Sequence, residues 1–195
     1  GGANDPHVYR VERATGVARM IYTGASPSRV AVGRSQQVYI VDGLALKCID
    51  MQQSPPATQV ASLTSSPDAM EYDDTTDSLM CLSTAAGPHV RVFNGADLNA
   101  PAPIYPLPGG VVLNGRPFMT ISPLDGTLWI RSQDSPNIYQ LSFDRVLGLV
   151  LQQSANIPAS VGAIGIDIHT KQTREHILLA RQSGGIAEYR KNLTT

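Results

Sequence analysis

Residues 27–50 read PSRVAVGRSQQVYIVDGLALKCID. They hold three short apolar runs, Ser28–Val32, Val38–Asp42 and Leu44–Asp50, parted by a polar stretch and by Gly43. Runs of about four to seven residues bounded by turn chemistry are strands rather than helices. A weaker fourth run, rich in β-branched residues, spans Thr58–Leu63.

The pattern returns along the chain. Asp68–Tyr72 is followed by Leu79–Ser83, Pro117–Ile121 by Leu128–Ser132, and Ala163–Ile168 by Leu178–Gln182. The second runs end at 42, 83, 132 and 182, so the period is 41 to 50 residues. Third runs follow at His89–Asn94, Asn137–Phe143 and Gly185–Arg190, and a fifth copy stands at the front, His7–Glu12. Fourth runs fall at Val17–Tyr22, Ile104–Leu107 and Leu149–Gln152. Asp144–Ser154 fits a short helix capped by Asp144, but Gly148 and the repeat register favour strand, turn, strand. Val8–Glu12 and Ala69–Asp73 alternate apolar and polar, the period of a strand with one buried face.

Four short antiparallel strands per period, at this period, predict an all-β fold, a β-propeller with about four blades' worth of four-stranded sheets. The repeats divide residues 1–195 into a partial unit at 7–24 and units at 25–63, 64–107, 108–152 and 153–191. Small residues in the first strands (Ala31, Gly33, Gly165) suit a crowded inner end. The strands number 2, 4, 4, 4 and 3 by unit, and both terminal units carry a third strand. Three arrangements fit: part of a larger ring, a ring completed by another chain or a second copy, and a compact four-bladed ring whose N-terminal segment completes the last blade. An open ring leaves unpaired edges and an exposed apolar face, which drive association.

Pro27–Val32 with Gln37–Gly43, and Pro117–Ser132 with Asn137–Leu141, resemble the NHL-type repeat; Asp68–Phe93 is closer to the related YVTN type. The aspartate that NHL repeats favour after the second strand is present as Asp42, with Ser83, Ser132 and Gln182 in its place elsewhere. There is no Trp-Asp dipeptide, and the diglycines at 109–110 and 184–185 do not recur in kelch register. The resemblance implies a propeller that is either an interaction module or a lactonase-like or lyase-like enzyme with a metal at the channel mouth.

Composition narrows the function. Fifteen Lys+Arg against sixteen Asp+Glu leave a formal net charge of −1, without the basic footprint of a nucleic-acid binder. At 42% apolar residues the chain is not disordered, and 17 glycines with 14 prolines suit many turns. The longest apolar runs, Val146–Leu151 and Val161–Ile166, are far short of the roughly 20 residues of a membrane-spanning helix. The first residues, Gly1–Pro6, do not read as a signal peptide. Cys48 and Cys81 lie in strand-like runs and read as buried free thiols. The triplet from Asn192 to Thr194 matches a glycosylation sequon at a chain end.

Chemistry-bearing motifs are sparse. His7, His89, His169 and His176 show no metal-ligand spacing. Asp73, Asp74 and Asp77 read as turn formers in a hairpin. There is no GxSxG elbow. Trp129 sits mid-strand and reads as packing between blades. Arg131 and Arg181 fall near second-strand ends, where loops cross one face and an anion or a partner carboxylate can be met. The expected partner-binding residues are His89, Arg116, Arg131, Asp134 and Arg181, with the loops Thr84–Pro88, Pro108–Arg116, Ser132–Pro136 and Gln152–Ser160. The expected function is a non-catalytic protein-interaction or scaffold module, with no cofactor, no nucleic acid, and a protein partner or second copy. The alternatives are a metal-dependent lactonase or lyase using Glu71, Asp73, Asp167 and His169, and a structural subunit of a larger assembly.

Overall fold

The computed structural model describes residues 6–53, 57–157, 162–171, 174–181 and 184–190. The side chains of His169 and Arg181 lie outside that description. The described residues form seventeen strands: β1 His7–Val11, β2 Ala18–Thr23, β3 Pro27–Val32, β4 Gln37–Asp42, β5 Ala45–Asp50, β6 Ala57–Ser62, β7 Ala69–Asp73, β8 Ser78–Ser83, β9 His89–Asn94, β10 Ile104–Pro106, β11 Pro117–Ile121, β12 Leu128–Ser132, β13 Asn137–Asp144, β14 Gly148–Asn156, β15 Ala163–Lys171, β16 Arg174–Arg181 and β17 Ile186–Arg190. They form antiparallel sheets in chain order: β1–β2, β3–β6, β7–β10, β11–β14 and β15–β17.

Each sheet stands beside the next with its apolar faces hidden between neighbours. Alternation along β4 sends Val38 and Ile40 to one side and Tyr39 and Val41 to the other. The first pair packs with Val8, Ile21 and Tyr22 of the first sheet. The second pair packs with Met70, Tyr72, Leu79 and Phe93 of the third. Met80, Leu82 and Val92 then meet Met119, Ile130 and Tyr139, and Trp129 with Ile138 meets Ile168, Ile177 and Leu179. Fully burying one such side chain is worth about 1.5–3 kcal/mol. Because both faces are covered, β8 and β12 are buried at every position.

The same cover overturns the half-buried expectation for Ala69–Asp73. Four of its five residues are buried, and the polar Glu71 is mostly enclosed. Segment 144–154 is strand, turn, strand, with Gly148 at φ +81 opposite Asp144. The predicted loop at 152–160 starts later than expected, because β14 pairs as far as Asn156 opposite Asn137; residues 158–160 lie outside the described set. His169 and His176 face each other as a pair across β15 and β16.

The inner strands contact one another in series, β3 with β7, β7 with β11, β11 with β15. No comparable contact joins β15 to β3 among the described residues. Tyr39 shows how tight the inner packing is. Its hydroxyl donates to Gly95 O at 2.7 Å, and its ring stacks on Tyr72 with centroids 5.6 Å apart. A Cβ on Gly33 would fall 2.6 Å from that ring, so only glycine leaves the stack in place. Cys48 and Cys81 are free and buried, and burial pushes the Cys81 thiol up to about 12.

Asp42 ties the first two sheets together. It accepts from Tyr22 Oη at 2.6 Å, Ser26 N at 2.6 Å and Lys47 Nζ at 3.1 Å. These donors, Tyr22 first, hold its carboxyl down at about 2. A depressed carboxylate stabilises the fold above its unfolded value near 3.8, and that stability is lost as pH falls through about 2. Replacing Tyr22 by Phe should cost about 1–2 kcal/mol in urea unfolding at neutral pH. It should also shrink the stability lost between pH 4 and pH 2; unfolding curves at three pH values check both.

Candidate functional site

The antiparallel register sorts the loops onto two faces. On one face, called here the entry face, the inner strands begin, the second strands end and the third strands begin. Loops 84–88, 107–116 and 133–136 all lie there. So do His89, Arg116, Arg131 and Asp134, and the backbone of Arg181 at the end of β16.

An arginine cluster forms where these elements converge. Arg116 immediately precedes β11 and is exposed; its guanidinium carbon lies 5.6 Å from the Phe118 ring centroid. Arg131 of β12 is paired with Phe118 across the sheet, and its guanidinium carbon lies 6.0 Å from the same ring. Arg29 of β3 reaches across to the next sheet, donating from Nε to Asp68 O at 2.8 Å. Burial, and after it the charge of Arg116, lowers the Arg29 pKa; burial alone lowers that of Arg131. An arginine stays charged under such shifts, so the cluster is a positive field in a partly desolvated place.

Arg131 differs from the other two. Its side chain is 0% exposed. Nη2 donates to Ser132 O at 2.7 Å, while Nε and Nη1 have no hydrogen-bond partner among the described residues. No carboxylate pairs with Arg29, Arg116 or Arg131 among those residues. The Asp68 carboxylate is committed to Thr84, whose N and Oγ1 each donate at 2.8 Å. Arg131 does not lie on the loop-crossed surface expected from its place near a strand end; it lies beneath that surface, because β12 is sheathed on both sides.

The other expected residues have local roles. Asp134 is exposed and rests on Gly115, where a Cβ would lie 2.2 Å from Oδ2; with φ +72 there, only glycine lets the two loops close on each other. Asp134 N also donates to Asn114 O at 3.1 Å. His89 keeps Nδ1 2.7 Å from Gly87 O beside a small cleft with Ser65, Ser83 and Arg91. Asp73 accepts from Thr75 N and Thr76 Oγ1, at 2.9 Å and 2.6 Å, and so shapes the hairpin turn.

Glu71 of β7 and Asp167 of β15 come from sheets on either side of β11. Burial first, and then the Asp167 charge, push the Glu71 carboxyl up to about 7. Asp73 does not join them, and among the described residues no three His, Cys, Asp or Glu side chains form a metal-holding group.

Arg29 and Phe118 were missed from sequence. Arg29 reads as a polar residue on a strand, and Phe118 as core. Their shared position shows only when strand starts in different sheets are overlaid.

Sheets standing side by side on a series of inner strands define a β-propeller fold. Solved structures of that fold are similar to this chain. A chain of the mitotic checkpoint complex matches at 10% identity with TM-score 0.62, over 96% of this chain and 71% of its own. Dihydro-heme d1 dehydrogenase NirN in complex with DHE matches at 10% identity and TM-score 0.60, over 98% and 40%. A protein from Lactobacillus plantarum matches at 12% identity and TM-score 0.54, over 94% and 61%, so the chain spans about three fifths of that protein's length. No protein-family model matches. No curated protein sequence matches either.

The raised Glu71 pKa has a signed consequence. A carboxyl that titrates near 7 when folded and 4.5 when unfolded binds more protons folded, so stability falls as pH rises between those values. The loss should be of the order of 3 kcal/mol. Glu71→Gln should remove it; urea unfolding at pH 5 and pH 8 measures the difference, and parallel profiles for the two proteins would show an ordinary carboxyl.

Proposed function

We propose that the protein is a non-catalytic interaction module of the NHL-type propeller group, and that its entry face binds a partner through the partner's carboxylates. The observation that carries this reading is Arg131: a fully buried guanidinium with Nε and Nη1 unpartnered. Taking an unpaired charge out of water costs several kcal/mol, so a group kept in that state calls for an explanation, and a counter-charge brought by a ligand is the one this reading supplies. Arg116, exposed beside the same ring, is placed to make first contact and to steer an acidic segment inward. Arginine is suited to this because its planar fork matches a carboxylate with two parallel hydrogen bonds. The surrounding loops are rich in Pro, Gly, Ser and Asn and carry few titratable groups, which suits contact better than proton transfer. The fold neighbours include interaction modules, enzymes and binding proteins, and so favour neither class.

A second reading, a metal-dependent lactonase or lyase, draws on the approach of Glu71 and Asp167. It requires further ligands, for which the sequence offers His169.

A hexaglutamate peptide is a direct probe of the first reading. Binding measured by calorimetry should weaken about tenfold in Arg116→Gln and fall with added salt. Arg131→Met, of similar length, should also lose binding while its thermal midpoint stays level or rises, because an unpaired buried charge has been removed. A lowered midpoint with intact binding would make Arg131 a structural residue and end the proposal. Calcium that binds stoichiometrically and is lost in Asp167→Asn would favour the enzyme reading instead.

A further inference from the structure

Two Asn-Gly dipeptides occur in the sequence, Asn94-Gly95 and Asn114-Gly115. In such a pair glycine, with no Cβ, leaves its backbone nitrogen open to the side chain before it. The fold treats the two copies in opposite ways. Gly95 is buried, and its N–H donates to Asp77 O at 2.9 Å. Its carbonyl accepts from Tyr39 Oη at 2.7 Å, and Asn94 Oδ1 accepts from Ala96 N at 2.9 Å. The atoms that would react there are all held. Asn114 and Gly115, in contrast, are both exposed on the entry face. Asn114 N donates to Ser132 Oγ at 2.8 Å, and Asn114 O accepts from Asp134 N at 3.1 Å, so the loop is anchored beside the pair. The Asn114 side-chain amide and the Gly115 N–H have no hydrogen-bond partner among the described residues.

We propose that Asn114-Gly115 is a self-modification site, at which the asparagine converts to isoaspartate or aspartate and sets a negative charge beside the arginine cluster. The Gly115 nitrogen attacks Asn114 Cγ and a C–N bond forms. The Cγ–Nδ2 bond breaks, and Nδ2 leaves as ammonia with the proton that the Gly115 nitrogen gives up. Water then opens the cyclic imide. Opening at the main-chain carbonyl gives isoaspartate, whose backbone runs through Cγ and is longer by a methylene; opening at the other carbonyl gives aspartate. Both products place a carboxylate two positions before Arg116, which pairs with no carboxylate among the described residues. A carboxylate held in the same chain competes with one brought by a partner. Isoaspartate also lengthens the chain where Gly115, at φ +72, closes on Asp134. The effect on partner binding rests on the reading of the entry face given above; the chemistry at Asn114 does not.

The tryptic peptide 92–131 carries both dipeptides, because trypsin does not cut Arg116 ahead of Pro117. After days in mildly alkaline buffer, fragmentation mass spectrometry of that peptide should show conversion at Asn114 at least about tenfold ahead of Asn94. In protein aged in guanidinium chloride the two sites should convert alike, since no hydrogen bond then protects Asn94. Equal conversion in the folded protein, or none at Asn114, overturns the proposal. For the charge, aged parent and fresh Asn114→Asp should each bind hexaglutamate several-fold more weakly than fresh parent. Asn114→Gln, aged in the same way, should keep the affinity it has when fresh. Undiminished binding by protein converted at Asn114 overturns the effect on the cluster. Fresh parent that does not bind hexaglutamate counts against the entry-face reading instead, while the peptide map still decides the chemistry at Asn114.

Discussion

Everything in this molecule depends on burial from two sides. A sheet of four short strands cannot hide both its faces alone, so each is held by the side chains of the sheets beside it. β4, β8 and β12 carry most of this load, which is why they are nearly continuous in apolar residues rather than alternating. The polar residues that enter this layer do so with partners or at a cost. Tyr39 brings its hydroxyl to a carbonyl of the neighbouring sheet, whereas Arg131 is enclosed with Nε and Nη1 unpartnered among the described residues, and burial raises the Glu71 carboxyl.

The architecture was readable in the sequence because it is periodic and local. Strand positions, the turn at 145–147, the packing role of Trp129 and the turn role of Asp73 all follow from runs of a few residues and the glycines or aspartates that bound them. What escaped depends on neighbours far away in sequence. Glu71 looks like the wet side of a strand and is instead enclosed, because another sheet covers that side. Arg131 looks like a surface arginine and lies beneath the surface for the same reason. The reach of β14 to Asn156 is set by its pairing with Asn137, nineteen positions earlier, which local turn chemistry does not encode.

The candidate site shares that origin. Arg29, Arg116 and Arg131 come from three strands or strand starts, and they meet because the inner strands are laid side by side and all begin on one face. The cluster is thus a product of the repeat and not of a motif. Arg29 comes from the repeat at 25–63, and Arg116 and Arg131 both come from the one at 108–152, so the chemistry of the face depends on which residue types each repeat puts at its strand ends. Such a face can change its ligand by single substitutions while the sheets beneath stay the same.

The serial order of the inner contacts, β3 to β7 to β11 to β15, has a mechanical meaning. In a closed circle each sheet is restrained from both directions, and losing one boundary leaves the remainder connected the other way round. In a row, each boundary is the sole junction between what lies to its left and to its right. Among the described residues the seams follow one another in a row, so a substitution at one of them loosens that seam first and the next only through the sheet they share.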